Sequence, residues 1–94
     1  MLLHVVLMRF TDSADASQAA ERLRRLADSV PQIRSLDVGL DITHSEQSYD
    51  LALTTRHSDP AELAAYQNHP DHLALAAWLR PRLAHRAVVD HVER

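Results

Sequence analysis

An α+β fold with an antiparallel sheet is what this sequence predicts, and three observations lead there. Short apolar segments with two-residue alternation are interspersed with stretches whose apolar residues recur every three or four positions. Read along the chain, these segments run strand, helix, strand, strand, helix, strand. Proline and glycine are sparse, four and one in 94 residues, which argues against disorder and leaves the periodic segments largely uninterrupted.

Leu2 to Phe10 reads as the first strand. Leu2, His4, Val6, Met8 and Phe10 fall on one side, and Leu3, Val5, Leu7 and Arg9 on the other. Both sides are largely apolar, so both faces of the sheet are expected to be covered. Thr11-Asp12-Ser13 supplies turn and helix-capping chemistry. From about Asp15 to Ser29, Ala16, Ala19, Ala20, Leu23, Leu26 and Ala27 trace the apolar stripe of a helix, continued by Val30, and Pro31 closes it. Ile33 to Ile42 is the second strand, with Gly39 in its middle as the signature of a bulge or a close backbone approach. Thr43 to Gln47 forms a polar hairpin loop, and Ser48 to Arg56 alternates as the third strand, with Tyr49 as a packing residue. Ser58-Asp59-Pro60 opens a helix that runs to about Tyr66, where His69-Pro70 breaks it. Pro70 starts a further helical segment to about Leu83, with Leu73, Ala76, Ala77 and Leu83 as its stripe, Trp78 beside them, and Pro81 as a kink or early end. Arg86 to Val92 is the last strand. This order defines a single domain over residues 1–94, a ferredoxin-like βαββαβ protomer with a four-stranded antiparallel sheet. Helices cover one sheet face. The other still carries Leu and Val, so a homodimer with two sheets face to face is expected.

Composition narrows the function classes. A net charge of −3 and arginines interleaved with acids give no support for nucleic-acid binding. No apolar run approaches the roughly 20 residues of a membrane span, and the apolar start lacks a cleavage site for a leader. The absence of cysteine excludes disulfides and thiolate chemistry and fits a reducing cytoplasm. All ten basic residues are arginine, which excludes a Schiff-base lysine.

Five pieces in this order resemble the stress-responsive dimeric α/β-barrel domain family: His4-Val5-Val6 followed by Phe10, Val30-Pro31-Gln32-Ile33, Gly39-Leu40-Asp41, Tyr49-Asp50-Leu51, and Tyr66 through His72. The resemblance covers nearly the whole chain. It implies a ferredoxin-like protomer that pairs with its twin into a barrel. Members include plant stress proteins, small proteins without an identified role, and a plant polyketide cyclase. In that cyclase a tyrosine and a histidine flanking a His-Pro-x-His motif carry an intramolecular aldol condensation. Tyr66 and His72 stand at those positions, and His4 matches a pocket histidine on the first strand. The aromatic lining that the cyclase's first helix provides is replaced here by Leu23, Leu26 and Ala27.

The residues in Tyr66-Gln67-Asn68-His69-Pro70-Asp71-His72 carry the candidate chemistry. One reading makes His72 a general base that takes a proton from a carbon between two carbonyls, with Tyr66 donating to the carbonyl oxygen and Asp90 orienting the imidazole. The other reading has His72 bond a backbone carbonyl and lock the helix break, and this one is preferred. His69 reads as a cap, with a place in ligand binding if it faces the pocket. His69 and His72 are three apart, yet Asp71 is expected to point away from both, so no metal site is expected. His4 is a core histidine unless Tyr66 and His72 approach it, and Trp78 packs on its helix at the pocket rim. His44, His57, His85 and His91 receive no role.

Three functions follow. The preferred one is a dimeric, stress-responsive-type protein with a sheet-helix pocket for a small hydrophobic or carbonyl ligand, needing no cofactor. The alternative is a cofactor-free polyketide cyclase-like enzyme built on His72 and Tyr66. A weaker one, from fold analogy alone, is a cofactor-independent monooxygenase.

Overall fold

The computed structural model describes all 94 residues. The first strand, β1 (Leu2–Phe10), leads into helix α1 (Asp15–Ser29), then β2 (Ser35–Leu40) and β3 (Leu51–His57). Two short helices follow, α2 (Pro60–Gln67) and α3 (Pro70–Leu79), then a 3-10 turn at Arg80–Arg82 and β4 (Leu83–Val92). The four strands form one antiparallel sheet in the order β2-β3-β1-β4. This is the ferredoxin-like arrangement, with all helices on one face.

The side of β1 that carries His4, Val6, Met8 and Phe10 faces the helices, and all four are buried. Ala16, Ala19, Ala20, Leu23 and Leu26 of α1 pack onto it with Leu51 and Leu53 of β3. Small alanines let the helix backbone approach the sheet, and the leucines fill the gaps between strands. Ala27, expected in the stripe, is exposed.

Several boundaries differ from expectation for physical reasons. β2 is shorter than Ile33–Ile42, because the ladder with β3 runs only from Ser35 to Leu40. β3 starts at Leu51 and extends to His57, so Tyr49 precedes the strand and its ring instead receives the Arg9 guanidinium at 5.0 Å. Gly39 pairs with Ala52 in an unbroken register, and a side chain there would meet nothing. The sheet's irregularity lies instead between Arg9 and Phe10, against β4. Pro81 ends α3 at Leu79, and β4 then begins at Leu83, three residues before the expected start. The stripe of α3 is also turned. Leu75 and Leu79 are its buried residues, while Leu73 is 51% exposed.

The second sheet face is not covered within the protomer. Leu7 is 37% exposed and Val89 60%, with Leu3 and Val5 half-buried between them. The expectation that both faces are covered is therefore met on the helix side alone.

Candidate functional site

The break between α2 and α3 positions the site. Asp59 caps α2, its carboxylate accepting from the Glu62 N–H at 2.8 Å, and Pro60 occupies the first turn. The helix lasts only two turns and delivers Tyr66 into the core, 1% exposed. His69 then caps α3: its Nδ1 accepts from the Asp71 N–H at 3.1 Å, and Pro70 follows in the first turn. Proline lacks an N–H to place and disfavours helical angles in the residue before it, so the chain bends at this point. The bend returns His72 over Tyr66, their ring centroids 4.6 Å apart. Six residues along one straight helix would not meet in this way.

His72 Nδ1 lies 2.9 Å from the Gln67 carbonyl oxygen. A carbonyl only accepts, so Nδ1 carries the proton and Nε2 carries the lone pair in the neutral ring. Burial pushes the imidazole below its ordinary 6.5, against the opposing pull of the Gln67 carbonyl, so the neutral form prevails at neutral pH. Tyr66 is held in the opposite sense. Burial pushes its phenol up to about 12, only partly offset by the Arg86 charge, which keeps it a proton donor.

Two further histidines enclose the Tyr66 ring. His4, 6.2 Å away edge-on, donates from Nδ1 to the Asp90 carboxylate at 2.5 Å. His57 stacks on Tyr66 at 5.1 Å. Its Nδ1 donates to the Gln32 carbonyl at 2.8 Å, so its Nε2 accepts from the Thr55 hydroxyl, also at 2.8 Å. Burial lowers the His57 pKa below 6.5. Both of its nitrogens are occupied, so His57 supports the tyrosine face without a free basic atom.

His4, Tyr66 and His72, but not His57, border a cavity of about 300 Å³ between the sheet and α2–α3. His4, Tyr66 and His72 supply its polar wall, Val6, Met8, Leu23, Leu53, Leu75 and Leu79 much of its apolar wall, and Arg80 and Arg86 two cationic groups. A mostly apolar cavity with a few convergent polar groups is the usual form of a small-molecule site.

Three of the six expected site residues, Tyr66, His72 and His4, thus meet in one cavity. Asp90 pairs with His4 and does not orient His72; β1–β4 register sets Asp90 opposite His4 on the same face. His69 lies outside the lining and caps α3. The Asp71 carboxylate does not point away from it, sitting 4.0 Å from His69 Nδ1. Trp78 also lies outside, with the guanidinium groups of Arg22 and Arg82 over its ring at 4.4 and 4.3 Å from the centroid. Of the first-helix residues weighed as pocket lining, Leu23 lines the cavity and Leu26 and Ala27 do not. The residues missed from sequence are His57, Arg80 and Arg86. His57 continues the alternation Leu51, Leu53, Thr55 by one step, a signal present in the strand pattern.

The sequence profile described as the stress responsive A/B barrel domain matches residues 2–93. A dimeric ferredoxin-like protein of unknown function from Thermobifida fusca is 28% identical, with 98% of this chain and 90% of that chain aligned at a TM-score of 0.85. A Dabb family protein with a ferredoxin-like fold from Mesorhizobium loti is 17% identical over 99% of this chain and 96% of that one, TM-score 0.81. A hydroxynitrile lyase from Passiflora edulis is 15% identical over 99% and 93%, TM-score 0.85. At these last two identities the likeness is one of fold. No curated protein matches the chain.

Proposed function

Because the chain belongs to the stress responsive A/B barrel domain family, we propose that its cavity receives a small carbonyl compound and moves a proton on it with the chain's own side chains. The observation that carries this reading is the His72–Gln67 bond. A structural role for His72 rests on the same bond. The bond also selects the tautomer whose free Nε2 is basic, beside a buried tyrosine that retains its proton.

His72 Nε2 takes the proton from the carbon next to the carbonyl. The C–H electron pair forms the new carbon–carbon double bond, and the carbonyl π pair moves onto oxygen, where the Tyr66 O–H donates a hydrogen bond. The proton then returns from His72 to the enolate. In an intramolecular aldol step it goes instead to the alkoxide formed when the enolate carbon attacks a second carbonyl. The apolar wall holds the hydrocarbon part of the substrate and limits water.

The protein in this proposal is a homodimer in which each protomer carries its own cavity. The half-open apolar face at Leu3, Val5, Leu7 and Val89 supports it, as does the dimeric state described for the Thermobifida fusca relative.

The test is deuterium exchange at carbon 2 of ethyl 3-oxohexanoate, followed by NMR against the solvent background. His72→Asn is expected to lower the protein-dependent rate by about 10²–10⁴-fold, the range of a general base. Tyr66→Phe is expected to lower it by about 10²–10³-fold, the range of a single oxyanion donor. Exchange unaffected by both substitutions would sink the reading.

A further inference from the structure

We propose that the ligand of the cavity is an anion: a small carboxylate-bearing carbonyl compound whose negative end is met by Arg80 and Arg86 and whose chain lies on the apolar wall. The inference rests on the carbonyl-pocket reading above and names the class of compound it takes.

The arginines of this chain are mostly engaged. Arg34 and Arg56 pair with Glu62 and Glu93, and Arg24 lies near Glu21. Arg9 donates to the Ser48 carbonyl, while Arg22 and Arg82 lie over the Trp78 ring. Arg25, Arg80, Arg86 and Arg94 make no side-chain hydrogen bond or ion pair, and of these only Arg80 and Arg86 line the cavity. These two approach it from different elements, Arg80 from the 3-10 turn and Arg86 from β4. Both are exposed, which places the charged heads at the solvent side of a cavity whose deeper wall is Val6, Leu53 and Tyr66.

The fixed charge at this site is thus positive on the solvent side. No carboxylate lines the cavity, and Asp90 is paired with His4. The Arg86 charge reaches both reactive groups, opposing proton binding at His72 and easing proton loss from Tyr66. A substrate carboxylate would therefore find two unpaired guanidinium forks, which suit planar anions. A neutral ketone offers no charge to either. At about 300 Å³ the cavity lies at the small end of ligand sites, which favours a short acyl chain.

The experiment compares octanoate and 2-octanone, titrated separately into the wild type and into an Arg80→Gln/Arg86→Gln variant. Binding is read from the NMR shifts of Tyr66 and His72. Both arginines are exposed and unpaired, so the variant is expected to fold with an unchanged unfolding midpoint. Octanoate is expected to bind the wild type about tenfold more tightly than 2-octanone, as one or two charge-assisted contacts would give. The variant should lose this preference while keeping its affinity for 2-octanone, and added salt should weaken octanoate alone. Equal binding of the two compounds to the wild type, or a preference that survives in the variant, would overturn the anion assignment and leave the carbonyl pocket standing. Binding of neither compound would overturn both.

Discussion

His72 joins a structural bond to a free basic nitrogen, and substitutions can separate the two. His72→Ala removes the donor to the Gln67 carbonyl in a partly buried site, so a loss of about 1–3 kcal/mol in unfolding free energy is expected. Asparagine places an amide N–H near the position of Nδ1. His72→Asn is therefore expected to hold stability within about 1 kcal/mol of wild type, the worth of a typical retained hydrogen bond, while lowering the exchange rate by about 10²–10⁴-fold. A stability loss without a change in exchange would return His72 to a purely structural role. The histidines also set a pH dependence. His57 and His72 are both depressed below 6.5 by burial, so below that value the unfolded chain binds protons that the folded one resists. Their contribution to stability is complete above pH 6.5 and is lost as pH falls through the folded values. A thermal midpoint that drops between pH 7.5 and pH 5.5, and drops less in His57→Gln, is the expected result; a flat profile would contradict it. At this scale the sequence was a partial guide. Tyr66, His72 and His4 were legible because they are the polar members of apolar or helix-breaking segments. The partner of Asp90 was not, because a carboxylate on β4 reaches whichever histidine the strand register sets opposite it.

The helix break depends on two caps. Asp59 holds α2, and Glu62 adds to it by accepting from the Ser58 N–H at 2.7 Å and pairing with Arg34. These donors hold the Glu62 carboxyl down to about 2, with the Arg34 hydrogen bond the largest cause. Loss of a helix cap typically costs about 0.5–2 kcal/mol, and Asp59→Ala is expected to fall in that range in a denaturant titration. His69→Ala should cost the lower part of that range, because its side chain accepts from a single N–H of α3. It should also weaken exchange, since the cap fixes the angle at which His72 meets Tyr66. An equal rate with His69→Ala would show that Pro70 alone sets the bend. Helix and strand identities were legible from periodicity, and Pro60, Pro70 and Pro81 marked real boundaries. The rotation of α3 was not legible. Its ten residues are apolar nearly all round, so no stripe stands out, and packing on the sheet selected Leu75 and Leu79 over Leu73.

For the whole molecule, the ferredoxin-like topology follows from element order, and the profile match over residues 2–93 places the chain in its family. Strand alternation also revealed that the second sheet face is apolar, although not what lies against it. If that face joins two copies, a charge at its centre should part them. Val89→Glu is expected to shift a sedimenting dimer to monomer at micromolar concentration while leaving the helix-side core intact. A wild-type chain that sediments as a folded monomer would remove the dimer from the account. The cavity lies on the helix side, away from this face. A monomeric variant is therefore expected to retain octanoate binding.

The most direct measurement is the long-range proton–nitrogen NMR spectrum of the His72 ring at pH 7.5 and at lower pH. A neutral ring is expected at pH 7.5, with the proton on Nδ1 and a bare Nε2, protonating only below 6.5. A proton found on Nε2 at pH 7.5, or a ring already charged there, would contradict this, because no free base would then face Tyr66.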